Sequence, residues 1–138
     1  MKKFIFFVLS SILFFSCSLE NESEGLYLDI VPVSNVEMPT AFRVDSITKI
    51  PMSYVKPTPC HVFSNFYYNS IGNERTVAIY CSKPNSAECI PTGNNNYTTT
   101  VELGFKPKSI GTYHFRFWAG VDASGTDQYI EHEVVVDH

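Results

Sequence analysis

The hydrophobic pattern changes character once along this chain. Residues 4–15 read FIFFVLSSILFF, an apolar run interrupted only by Ser10 and Ser11. From residue 26 onward, apolar positions come instead as short β-branched and aromatic runs between clusters of Pro, Gly and Asn. No window there repeats at 3.6 residues, and alternation with a period near two predicts strands. The expected strands cover residues 26–33, 41–44, 47–56, 61–69, 75–82, 98–105, 112–120 and 129–136. Pro32, Pro39, Pro51, Pro57 and Pro59 cannot donate to a ladder, so they are expected at strand ends, edges or bulges. Asn94, Asn95 and Asn96 predict a loop, since their side chains compete with sheet pairing for the backbone.

Two hairpins follow from this pattern with a register. A loop over residues 70–73 sets Asn69 against Glu74, so that Val62, Ser64, Phe66 and Tyr68 face Cys81, Ile79, Val77 and Arg75. A loop over residues 123–126 sets Asp122 against Asp127. Tyr113, Phe115, Phe117 and Ala119 then line up with Val136, Val134, His132 and Ile130 to make a core face. The opposite face carries His114, Arg116, Trp118, Tyr129, Glu131 and Glu133, with Arg116 expected across from Glu133 and Trp118 across from Glu131.

The amino-terminal run has a different meaning. Lys2 and Lys3 precede it, Ser16 and Cys17 follow it, and a polar acidic segment with Glu20, Glu22 and Glu24 comes next. Its 12 residues fall short of the ~20 that span hydrocarbon as a helix. A basic start, a short apolar core and a small residue before the cut describe a secretory signal. With cysteine directly after the small residue, the segment resembles the lipoprotein signals of Bacteroidota. That resemblance implies cleavage after residue 16, lipid on Cys17, a polar tether over residues 17–25 and a single domain over residues 26–138. Each buried methylene contributes about 0.8 kcal/mol, so several acyl chains anchor firmly to a membrane. It also implies an outer-membrane address, the acidic tether favouring the cell surface over the periplasmic side.

Removing residues 1–16 takes two lysines and no acids, leaving 8 basic against 14 acidic residues in 122. Such a charge balance disfavours nucleic acid as a partner. The length suits one domain.

Gly111-Thr112-Tyr113-His114-Phe115 resembles the start of strand F in immunoglobulin-like domains, where a tyrosine hydroxyl closes the preceding corner. Tyr113 takes the place of that tyrosine and Phe115 that of the sheet-bridging cysteine, as in disulfide-free branches such as fibronectin type III. The resemblance implies an all-β, immunoglobulin-like antiparallel β-sandwich of seven or eight strands. The chain as a whole resembles immunoglobulin-like outer-membrane lipoproteins of Bacteroidota without an assigned activity.

With Cys17 assigned to lipid, Cys60, Cys81 and Cys89 remain, and outside the cytoplasm one pair is expected to be oxidised. The hairpin register turns Cys81 inward and puts Cys60 near the open end, where Cys89 follows. Cys60–Cys89 is therefore expected, with Cys81–Cys89 as the alternative. Cys60 and His61, adjacent on a strand, point to opposite faces and make no thiol–imidazole pair. His114 and His132 likewise fall on opposite faces. No cofactor or catalytic residue is indicated, and no metal site is assigned. Asp122, Asp127 and Glu131 offer oxygen ligands without a calcium-loop signature. Asp45-Ser46-Ile47 resembles the Asp-Ser/Thr-aliphatic acceptor of Bacteroidota O-glycosylation.

The candidate binding surface is thus the outward face of the last hairpin, His114, Arg116, Trp118, Tyr129 and Glu131, with Tyr67 and Tyr97 as weaker members. Trp and Tyr beside charged groups stack on sugars or anchor a protein. The expectation is a non-catalytic envelope module for a protein or glycan partner. The alternatives are a small metal-binding protein or enzyme using the carboxylates and histidines of residues 122–133, and an accessory subunit of an outer-membrane assembly. The sequence sets no oligomeric state.

Overall fold

A computed structural model describes residues 25–85, 88–91 and 97–138. The signal segment, Cys17, the tether up to residue 24 and the Asn94–Asn96 stretch lie outside the described residues. The described chain is all-β, with nine strands and no helix: β1 (Leu26–Val31), β2 (Val33–Val36), β3 (Phe42–Arg43), β4 (Thr48–Val55), β5 (Val62–Ile71), β6 (Glu74–Pro84), β7 (Thr98–Phe105), β8 (Gly111–Val121) and β9 (Asp127–Asp137).

A six-stranded sheet and a three-stranded sheet share one core. In the larger sheet β6 is central. It pairs with β5 along one edge, while β8 and β1 divide its other edge between residues 74–77 and 79–84. β9 and then β3 continue beyond β8. The smaller sheet runs β2-β4-β7. The expectation of purely antiparallel pairing is corrected here, because β6–β8 and β3–β9 are parallel. β7, in the other sheet, separates β6 from β8 in sequence, and this crossover lets them run side by side in one direction.

Pro32 divides the expected strand 26–33. Unable to donate to a ladder, it breaks the pairing after Val31, and the chain passes into the smaller sheet as β2. Gly120 lies close by at φ 103°, and a Cβ there would stand 3.4 Å from the Pro32 ring. Pro51 corrects another expectation, since it lies inside β4, the middle strand of its sheet. Its carbonyl accepts the Glu37 N–H at 2.9 Å, but it returns no N–H, and β2 pairing extends no further than Val36–Met52.

Both hairpins differ from the expected register by two residues over most of their length. The second reaches that shift through a turn longer by one residue and a bulge between Trp118 and Gly120. A two-residue turn at Gly72-Asn73 sets Ile71 opposite Glu74 and Phe66 opposite Ile79. Arg116 faces Glu131 instead of Glu133, and Trp118 faces Tyr129 instead of Glu131. A shift of two leaves every side chain on its expected face. A bulge between Phe63 and Asn65 does not, because it changes the register by one. Phe63 therefore replaces Val62 beside Cys81 and packs on the core, while Val62 is 58% exposed.

Aromatic contacts join the sheets. The Phe105 ring on β7 meets Phe115 edge-on at 4.9 Å, Tyr113 at 5.3 Å and Phe42 at 5.9 Å. The buried Tyr113 hydroxyl donates to the Ser109 carbonyl at 3.1 Å, closing the β7–β8 corner.

Cys60 and Cys89 form the expected disulfide, tying the segment after β6 to the start of β5. Cys81 is a free, buried thiol whose pKa burial pushes up, which keeps it protonated and inert. A cross-link spanning 29 residues constrains the unfolded chain by about 3.5 kcal/mol in the chain-entropy account. A Cys60→Ser/Cys89→Ser double variant is expected to lose stability of that order. Urea unfolding beside the wild type checks this, and midpoints that coincide would contradict it.

Candidate functional site

The outer face of the larger sheet is built by alternation. Tyr113, Phe115 and Phe117 point into the core on β8, so His114, Arg116 and Trp118 point out. On β9 the buried Val134 and Val136 leave Tyr129, Glu131 and Glu133 on the same outer face. The expected binding residues are therefore co-facial, but they divide between two adjoining hollows.

Trp118 and Tyr129 line a groove of about 340 Å³ together with Ile30, Tyr67, Thr76, Ala78, Tyr80 and Asp127. Five strands contribute to it. Ala78 is the small, buried floor, and the aromatic rings form the walls. The Trp118 indole N–H donates to Asp127 Oδ1 at 2.9 Å. The Arg116 guanidinium lies 4.1 Å from the centre of the Tyr129 ring, and its Nε donates to Glu131 Oε1 at 3.2 Å. The Trp118 and Tyr129 rings are thus held in place by charged neighbours, which reduces the side-chain entropy lost when a ligand docks.

His114, Arg116 and Glu131 line the second hollow, about 350 Å³, with Glu74, His132 and Glu133. His114 Nδ1 is 3.5 Å from Glu133 Oε2. His132 turns the other way, edge-on to Phe117 at 6.3 Å between ring centres. Tyr97 is exposed at the start of β7, outside both hollows.

The carboxylates of the β8–β9 turn do not converge. Asp122 Oδ1 accepts the Ser124 hydroxyl at 2.6 Å and the Ser124 and Thr126 N–H groups at 2.8 and 3.1 Å. The Ser124 hydroxyl first, then these backbone donors, lower its pKa. Asp127 holds Trp118 and Glu131 holds Arg116, so the three expected oxygen ligands serve three different partners. Among the described residues no cluster of His, Cys, Asp and Glu is arranged to hold a metal ion.

One polar network escaped the sequence reading, and the placing of Cys60 and His61 on a strand is corrected, since both precede β5. His61 is 1% exposed and donates from Nε2 to Asp29 Oδ2 at 3.0 Å, with Lys83 on the same oxygen at 2.8 Å. Its Nδ1 accepts the Thr58 N–H at 3.2 Å, and the Thr58 hydroxyl lies 2.8 Å away. The Asp–His–Thr order resembles a nucleophilic triad, but the lone pair a base would use is taken by a backbone N–H. The network instead fastens β1 to the disulfide loop. Only the spatial approach of β1 to β6 brings Asp29 there, which no spacing in the sequence signals. Asp45-Ser46-Ile47 forms an exposed turn with Asp45 at φ 58°.

Comparison with models of known protein families, with characterised proteins and with solved structures finds no match to this chain.

The Lys83 hydrogen bond, then that of His61, hold the Asp29 carboxyl below its usual pKa. Because the folded pKa is depressed, the stabilisation is complete above the unfolded value of about 4 and is lost as pH falls through the folded value. An Asp29→Asn variant is expected to be less stable by about 1 kcal/mol near neutral pH, a magnitude limited by solvent screening. The gap in urea midpoints between variant and wild type should narrow as pH is lowered from neutral to below about 4. A gap unchanged across that range would rule this coupling out.

Proposed function

We propose that this protein is a lipid-anchored, non-catalytic module of the bacterial outer membrane whose outer sheet face binds a glycan. The aromatic groove carries this reading. Four rings, Tyr67, Tyr80, Trp118 and Tyr129, surround a small-residue floor, and carboxylate and guanidinium groups stand beside them. Sugars present an apolar ring face edged with hydroxyls, so they suit rings for stacking and fixed polar groups for orientation. The groove lies at the small end of ligand-site volumes, where a short saccharide fits better than a large cofactor.

The address rests on Lys2, Lys3, the apolar run and Ser16-Cys17, with residues 17–25 as the tether and the cell surface as the favoured side. An immunoglobulin-like relationship is supported by the Tyr113 corner and by the placing of β2, β4 and β7 opposite β6, β8 and β9. The parallel β6–β8 pair departs from that pattern.

A second reading is docking of a protein segment, as in an accessory subunit of an outer-membrane assembly. Leu26, Leu28 and Ile30 favour it, exposed apolar residues along β1 of which Ile30 lines the groove.

Trp118 is the chain's single tryptophan, so its fluorescence reports on the groove directly. Titration with neutral oligosaccharides is expected to give a saturable change with Kd of about 0.1–1 mM. Trp118→Ala should weaken binding by calorimetry at least about tenfold, equivalent to ~1.4 kcal/mol, with thermal stability kept. Saccharide binding unaffected by Trp118→Ala, or no saturable change with any sugar, would reject the glycan reading. Capture of one fixed protein partner that depends on Trp118 would establish the second.

A further inference from the structure

Among the described residues the free edge of β5 differs from the other strand edges, including that of β9, which carries Asp127, Glu131 and Glu133 beyond its short pairing with β3. Edge strands expose unpaired N–H and C=O groups, and natural proteins blunt them with charge, proline or short length. β1 carries Asp29, and β7 carries Glu102 in an ion pair with Lys49. β2 and β3 have only 4 and 2 residues. β5 has 10 residues, VFSNFYYNSI, with no charge and no proline. It pairs with β6 on one side and with no other strand among the described residues. Its one protective device, the bulge at Ser64, lies near its start, and residues 65–71 run without a break in register. Tyr67 and Tyr68 are each 43% exposed there, and Ile71 66%.

We infer that β5 is a homotypic docking edge, on which a second copy of this chain adds its own β5 antiparallel. The charge pattern favours this occupant. A chain of net charge −4 repels its own copies over most of its surface, and β5 is an uncharged strip along which two of them meet. The residue pattern favours it too. Across a two-fold axis normal to the sheet, opposed residues must share a face, so their numbers have the same parity. Centring the axis on Tyr67 sets Tyr67 against its own copy, Asn65 against Asn69 and Phe66 against Tyr68. Amide meets amide on the outer face, and ring meets ring throughout. This pairing joins the larger sheets of two copies into one. Because Tyr67 also lines the aromatic groove, it brings two grooves side by side on one continuous face. Two linked sites raise avidity for a repeating partner without any new contact.

The interface is a single strand pair, so association should be weak and concentration-dependent. Sedimentation of the purified protein from about 10 µM to ~1 mM should show the average mass rising towards twice that of the monomer. An Asn65→Lys/Asn69→Lys variant, which places charge on the edge and leaves groove and core intact, should remain monomeric with an unchanged melting temperature. Among the described residues Cys81 is buried and Cys60–Cys89 is bridged, so in a Cys17→Ser background an introduced thiol is the reactive one. Oxidation of Tyr67→Cys should give a covalent dimer, since directly opposed Cα atoms lie within disulfide reach. Ile110→Cys, exposed beyond the end of β7, should not. A monomer at every concentration would overturn the proposal, as would association untouched by the lysines or cross-linking equal at both positions. Saccharide binding is read separately through Trp118, so either proposal can fail without the other.

Discussion

The packing of Phe105 between the two sheets is the contact on which the rest of the molecule depends. Among the described residues no disulfide joins the sheets. Phe105 meets Phe115, Tyr113 and Phe42 with its edge or theirs, the arrangement in which ring quadrupoles attract. Phe115 in turn lies nearly parallel to Phe117 along β8, at an interplanar angle of 9°. Once these three inward positions of β8 are fixed, the strand leaves no freedom to the outward ones. His114, Arg116 and Trp118 face solvent because Tyr113, Phe115 and Phe117 cannot.

The outer face then depends on β6. Its two edges serve three partners, which brings Ile30 of β1, Tyr67 of β5 and Trp118 of β8 around Ala78. The open end of this arrangement is fastened twice, covalently by Cys60–Cys89 and electrostatically by Asp29 with His61 and Lys83. β1 is otherwise exposed along most of its length, so this ion pair sets how firmly one end of the groove is held. The groove thus reaches β1, the first strand of the described chain.

Much of the sheet structure was legible in the alternation of residues. The strand at 98–105 agrees with β7 at both ends, and the faces of β8 and β9 are as expected although their register is not. The reason is parity. A first turn misread by two residues, and a second misread by one together with a bulge at Ala119, each shift the register by two. Such shifts move partners but not faces. Val62 failed because a bulge changes parity, and no residue pattern around Ser64 announces one. The candidate site was half legible for a related reason. Trp118 and Tyr129 belong to one hairpin and were found through it. Tyr80 and Ile30 became their neighbours only through pairings between strands far apart in sequence. The three carboxylates near the last turn looked like one cluster by spacing, yet their competing hydrogen bonds with Ser124, Trp118 and Arg116 separate them.

By itself, then, the sequence determined what local chemistry dictates. Period-two patterning set the class of structure, Pro32 set where one strand ends although Pro51 did not, and cysteine position relative to one hairpin set the disulfide and the buried thiol. Tertiary structure decided which strands lie side by side, including the parallel pairing of β6 with β8 that no local signal carries. It also decided that aromatic residues from four strands meet Ile30 of a fifth in one groove, and that β5 is left with an open edge among the described residues. These follow from how two sheets bury a shared core, a property of the whole chain that no segment holds alone.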